Sequence, residues 1–153
     1  EDEKRAGLNA DLYRLAGDPR DTLALPPAKP PTPAIELAAL ENAATRLDAS
    51  AKALDAALAG ARPAPAVQDK INSLLRGIDQ QLLIGEGLPF RPWFRHALYA
   101  PGRFTGYGAK TLPGVREAIE ERRFDDANRY AGLTAAAINR FADRLDQARE
   151  LLK

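Results

Sequence analysis

Between Leu37 and Leu58, apolar residues recur in alternating steps of three and four: Leu37, Leu40, Ala44, Leu47, Ala51, Leu54 and Leu58. A helix of 3.6 residues per turn gathers these into one stripe, whereas a strand would scatter them over both faces. An unbroken stripe six turns long is the seam of a bundle helix and needs other helices to cover it. Composition agrees. Apolar residues make up 45% of the chain but aromatics only 7%, so Ala and Leu carry the core, which favours helix over sheet. A length of 153 residues suits one domain able to bury a core without disulfides or metal staples.

Other segments repeat the pattern. Leu8, Leu12 and Leu15 predict a helix near 1–16, stopped by Gly17, Asp18 and Pro19. Its charged start is either the torn end of a longer helix or a solvated face. Residues 17–33 read as a proline-rich linker, with Pro26, Pro27, Pro30, Pro31 and Pro33 forcing extended backbone. The linker is read as a surface connection, with a ligand for a proline-binding partner as the alternative. Thr32 and Pro33 offer a capping hydroxyl and a first-turn proline, predicting a second helix near 34–60 that ends at Gly60. Val67, Ile71, Leu74, Ile78 and Leu82 predict a third near 64–84. Pro113 opens a short helix to about Arg123, and Asp125 is placed to cap a last helix near 125–152, striped by Leu133, Ala137, Phe141, Leu145, Ala148 and Leu152. The charged residues of this last helix are expected on a solvated face. The expected fold is all-α: an up-and-down four-helix bundle with a long ordered loop between the third and last long helices.

The chemistry-bearing residues are few. His96 is the only histidine, there is no cysteine, and no HExxH occurs. A zinc site needs three or four ligands, so the chain alone is expected neither to hold zinc nor to hydrolyse peptides. Ser50 and Ser73 lie within helical runs, away from any nucleophile elbow. Gly106-Tyr107-Gly108 lacks the GxxxxGK[ST] of a phosphate loop. The Asp125-Asp126 pair is more simply a helix-start feature than acid/base machinery. Lys plus Arg number 22 against 21 Asp plus Glu, so there is no basic excess for a nucleic acid. No apolar run is long enough for a membrane span, and no apolar leader is expected at the start. The absence of Met points to a trimmed or processed fragment.

Residues 85–113 break the helical pattern. They hold Trp93, Tyr99 and Tyr107, five glycines from Gly85 to Gly108, and Pro89, Pro92 and Pro101. A segment this aromatic is expected to be ordered and packed on something.

It also carries motifs in order: Gly87-Leu88-Pro89, Arg91-Pro92-Trp93-Phe94-Arg95-His96, Tyr99-Ala100-Pro101, Tyr107, then Leu112-Pro113-Gly114-Val115. This resembles the C-terminal helical domain shared by transferrin receptors and glutamate carboxypeptidases of the prostate-specific-membrane-antigen type. Leu40-Glu41-Asn42-Ala43 and the proline linker resemble bacterial members. The resemblance covers nearly the whole chain, most strongly 82–121. It implies a homodimerisation domain that closes one side of a substrate cleft. The parent would then be an exported zinc-dependent metallopeptidase of carboxypeptidase or aminopeptidase type, with two zinc ions in a protease-like domain, an inserted apical domain and a peptide substrate. None of these lies in this chain, and no cofactor is expected in it. In the family a Lys-Tyr pair grips the carboxylates of a terminal glutamate. Tyr107 matches the Tyr, but Gly106 stands where the Lys would be, which puts glutamate preference in doubt. Whether Tyr107 meets substrate or packs on the bundle is open. Arg91, Pro92, Arg95, His96, Tyr99, Pro101, Pro113 and Gly114 are motif residues expected to be structural. The alternatives are the dimerisation domain of a non-catalytic receptor-type homologue and a free-standing helical interaction module.

Overall fold

The structure, a computed structural model, describes residues 6, 7, 20 and 30–153. The helix expected near 1–16 and most of the 17–33 linker lie outside the described residues. The chain divides between Thr32 and Pro33 into two units, and all that follows concerns the second.

Four α-helices dominate the second unit: α1 (Ala38–Gly60), α2 (Pro65–Leu75), α3 (Pro113–Glu120) and α4 (Phe124–Glu150). A 3-10 turn, Ile78–Leu82, follows α2. Between that turn and α3 lies a two-stranded antiparallel hairpin, β1 (Tyr99–Pro101) and β2 (Ala109–Thr111), with Ala100 opposite Lys110. The two long helices α1 and α4 form the spine, α2 packs on α4, and α3 packs on α4. The described residues are thus mostly helical, but they show two long helices with two short ones rather than four long helices in a bundle.

Several boundaries differ from expectation, each for a local reason. Thr32 and Pro33 do not start α1. They stay non-helical, as a residue before proline prefers. The Glu36 N–H then donates to Asn128 Oδ1 on α4 at 2.9 Å, so the chain is tied to α4 before α1 begins. The third helix stops at Leu75 rather than near 84, because Arg76 is extended and Gly77 turns left-handed at φ +72°. Its apolar pattern is kept all the same: Ile78, in the 3-10 turn, joins Val67, Ile71 and Leu74 in one cluster. Asp125 does not cap α4, whose N-cap is Arg123 with no side-chain cap bond. Asp126 instead pairs with Arg123.

The buried faces of α1 and α4 are rich in small residues. On α4 the buried line is Ala127, Ala131, Thr134, Ala135, Ile138, Ala142, Leu145 and Ala148. On α1 it is Ala43, Ser50 and Leu54, with Leu40 and Leu47 half-buried. Alanine lets two backbones approach closely, and the larger Leu133 and Phe141 are half-buried, packed against the core. The polar face of α4 does more than meet solvent. Arg140 donates to the carbonyls of Gln81 at 3.0 Å and Leu83 at 2.9 Å. Asp143 and Asp146 receive Arg46 from α1.

Candidate functional site

The segment from Gly85 to Leu112 is ordered from its roots outward. Leu88, Ala97 and Ala100 are buried with Ile84, Val115, Tyr130 and Ala131, so the segment contributes its own layer to the core. Backbone bonds stitch it: Ile84 N–H to Arg95 O at 2.7 Å, Leu88 N–H to Phe94 O at 2.8 Å, and Ala97 N–H to Leu82 O at 2.8 Å.

Glycine makes the packing possible at two points. Gly87 has φ +74°, and a Cβ there would lie 2.1 Å from the carbonyl oxygen of Pro92. At Gly114 a Cβ would lie 2.4 Å from the Tyr130 ring. The Tyr130 hydroxyl in turn donates to Gly87 O at 2.8 Å. Burial, with the Glu86 carboxylate as a second influence, pushes that hydroxyl's pKa up to about 12, so it remains a donor. The glycine-proline motifs on either side of the hairpin therefore converge on one tyrosine of α4.

Arg91 is buried on a neighbouring side. One Nη2 faces both oxygens of Glu117, each at 2.7 Å, and Nη1 donates to Pro101 O at 2.6 Å. Its guanidinium lies over the Phe94 ring, 5.6 Å from the centroid. Glu117 also accepts the backbone N–H of Arg103 at 2.9 Å. Beyond these roots the hairpin narrows to Gly102–Gly108, closed by Gly102 N–H to Gly108 O at 3.0 Å and Gly108 N–H to Thr105 O at 3.2 Å. Gly106 is left-handed at φ +61°, and Tyr107 beside it is fully exposed. Phe104, Trp93, Phe90 and Tyr99 are exposed on the same segment. Arg103 lies 4.0 Å from the Phe90 ring centroid and 4.9 Å from that of Phe104, and it pairs with Glu121.

The other motif residues lie along the stitched backbone. Arg95 Nε donates to Ile84 O at 3.2 Å. His96 Nδ1 accepts the N–H groups of Leu98 at 3.2 Å and Tyr99 at 3.3 Å, and its ring lies 3.9 Å from that of Tyr99. Two accepted bonds require an unprotonated Nδ1, and burial lowers the pKa from the ordinary histidine value against the opposing charge of Asp79. Pro113 is buried and opens α3. Among the described residues, no three His, Cys, Asp or Glu side chains come together as metal ligands do. No described helix is long and apolar enough to cross a membrane. Sequence reasoning missed Glu117, Tyr130 and Arg103. Glu117 left a signal: it shares a helix face with Pro113, Gly114 and Ala118, all buried, and an acid on such a face implies a cationic partner.

Residues 35–146 match the family described as the transferrin receptor-like dimerisation domain. The chain belongs to that family. Two relatives extend the comparison. A probable glutamate carboxypeptidase of Arabidopsis thaliana is 35% identical over 54 residues, which is 35% of this chain and 8% of the relative. A probable glutamate carboxypeptidase of Arthroderma benhamiae is 37% identical over 68 residues, 44% of this chain and 9% of the relative. The chain thus spans less than a tenth of the length of these relatives. A plant and a fungal relative lend no support to the expected bacterial origin. Within this dimerisation domain, the hairpin carrying Tyr107 is the part of the described surface richest in exposed aromatic residues.

Proposed function

We propose that the chain is the homodimerisation and cleft-closing domain of a glutamate carboxypeptidase-like zinc metallopeptidase, and that it is not catalytic alone. Its partners are a second copy of itself, the parent's protease-like and apical domains, and a peptide substrate. The two zinc ions belong to the protease-like domain. Both relatives are named glutamate carboxypeptidases, which favours a peptidase parent over a receptor-type one.

The observation that carries the cleft-closing role is Tyr107. It is fully exposed at the tip of a hairpin whose roots are buried. An aromatic residue held out from a rigid base is suited to meet another surface, and its hydroxyl can donate to a carboxylate. Gly106 supplies no cation beside it, and Arg103 is engaged with Glu121. Tyr107 therefore grips the substrate's terminal carboxylate without selecting a glutamate side chain. In the full-length protein, Tyr107→Phe removes only the hydroxyl. Loss of one hydrogen bond to a charged group is expected to weaken substrate binding by about 1.5–3 kcal/mol, or roughly 10–150-fold in KM, with fold and dimer intact. Steady-state kinetics on the best available peptide check this, and an unchanged KM would show that Tyr107 does not touch substrate.

A further inference from the structure

Hairpins with a glycine at every few residues are easily deformed, because glycine restricts its own backbone least. The Gly102–Gly108 turn contains three, and only short strands of three residues each lie beneath it. Strands this short do not hold a tip in place by themselves. Something else must set where Tyr107 stands.

The groups at the roots are suited to that. Arg91 reaches the carbonyl of Pro101, the last residue of β1, and Glu117 reaches the N–H of Arg103, the first side-chain-bearing residue of the turn. The two side chains bind each other through two 2.7 Å contacts and are both buried. One clamp thus holds the backbone on either side of Gly102, where the turn leaves the strand. It connects that point to α3 through Glu117 and to the Arg91 turn through the guanidinium. The planar fork of arginine makes this possible, since one cation serves a carboxylate and a carbonyl in fixed directions.

We propose that Arg91 and Glu117 are positioning residues: their buried ion pair clamps the root of the hairpin and so sets the place of Tyr107, without touching what Tyr107 meets. This rests on the reading of Tyr107 given above. It separates two kinds of residue in the motif segment. Gly87, Gly114 and Tyr130 join the segment to the core, while Arg91 and Glu117 direct its tip.

The test uses Glu117→Gln, which keeps the shape and one acceptor oxygen but loses the charge. Amide hydrogen exchange is followed in this chain. Exchange at residues 102–109 is expected to rise by about tenfold or more, while the amides of α4 between Tyr130 and Leu145 keep their protection. Arg91→Lys keeps the charge but loses the fork, and it is expected to loosen the same residues. In the full-length protein, Glu117→Gln is expected to raise KM with little change in kcat, and to add almost nothing in a Tyr107→Phe background. Unchanged exchange at 102–109 in both variants would overturn the clamp. Faster exchange there, with the α4 amides equally exposed, would also overturn it, because the pair would then support the whole fold. Faster exchange confined to the hairpin, with Tyr107→Phe itself silent in kinetics, would uphold the clamp and overturn the substrate-facing reading.

Discussion

Gly87→Ala is expected to destabilise the chain by about 2–5 kcal/mol, from a left-handed conformation unsuited to an L side chain and from overpacking. The backbone at this point has φ +74°, and the new methyl group would lie 2.1 Å from the Pro92 oxygen and 2.6 Å from its carbonyl carbon. Those are backbone atoms, so no rotamer change relieves the clash. The turn must open, and the Tyr130 hydroxyl then loses its acceptor, Gly87 O. Gly60→Ala is the control. Gly60 ends α1, has no positive φ, and would place a Cβ with nothing within 4 Å. It is expected to change stability by no more than about 1 kcal/mol. Thermal and denaturant melts followed by circular dichroism separate the two, and equal midpoints would show that the Gly87 turn is not held against Pro92.

Leu88→Ala is the second large effect. Leu88 is 2% exposed and shares its cluster with Ile84, Ala97, Ala100, Val115 and Tyr130. Two of those neighbours are alanines, too short to move into the space left behind. Truncation of a buried leucine at such a site is expected to cost about 2–5 kcal/mol, by lost transfer energy and by the residual cavity. Leu58→Ala, at a residue 40% exposed, is expected to cost less than about 1.5 kcal/mol. The comparison asks whether the aromatic segment is a layer of the core or a loop laid over it. Near-equal losses in denaturant midpoint would favour the loop.

The helical character of the chain was legible because its periodicity is long. The three-four spacing of α1 placed a helix where one stands, and Leu40, Leu47 and Leu54 do face inward. The positions between them agree only in part. Of the other stripe positions Ala51 is half-buried against the core, but Ala44 and Leu58 are exposed, while the fully buried positions between the leucines are Ala43 and Ser50. An alanine-rich helix offers small residues on every side, and the side that faces a neighbour is decided by backbone approach, which the sequence does not state. On α4, likewise, Ala131, Ala135 and Ala142 are fully buried while Leu133 and Phe141 are only half-buried. The early end of α2 escaped for another reason. A lone glycine inside a helical pattern is often tolerated, and the 3-10 turn after Gly77 kept Ile78 on the expected side.

The segment from Gly85 to Leu112 was legible as an exception and as a set of motifs, and less so as geometry. Its order follows from Gly87 and Gly114 accepting close neighbours and from Arg91 finding Glu117. Such pairings span 26 residues in the Arg91–Glu117 case and 43 in the Tyr130–Gly87 case. Periodicity carries no information at that range. The exposed tip was only half legible: Tyr107 stands between glycines in a turn, but the sequence left open whether it packs on the bundle, and it is the structure that makes it the most exposed large apolar residue described.

Sedimentation equilibrium over a wide range of concentrations tests the central claim most directly, that this chain is a self-associating dimerisation domain. The account predicts a reversible shift from monomer towards dimer as concentration rises, and no species beyond the dimer. A mass that stays at the monomer value to the highest soluble concentration would contradict it.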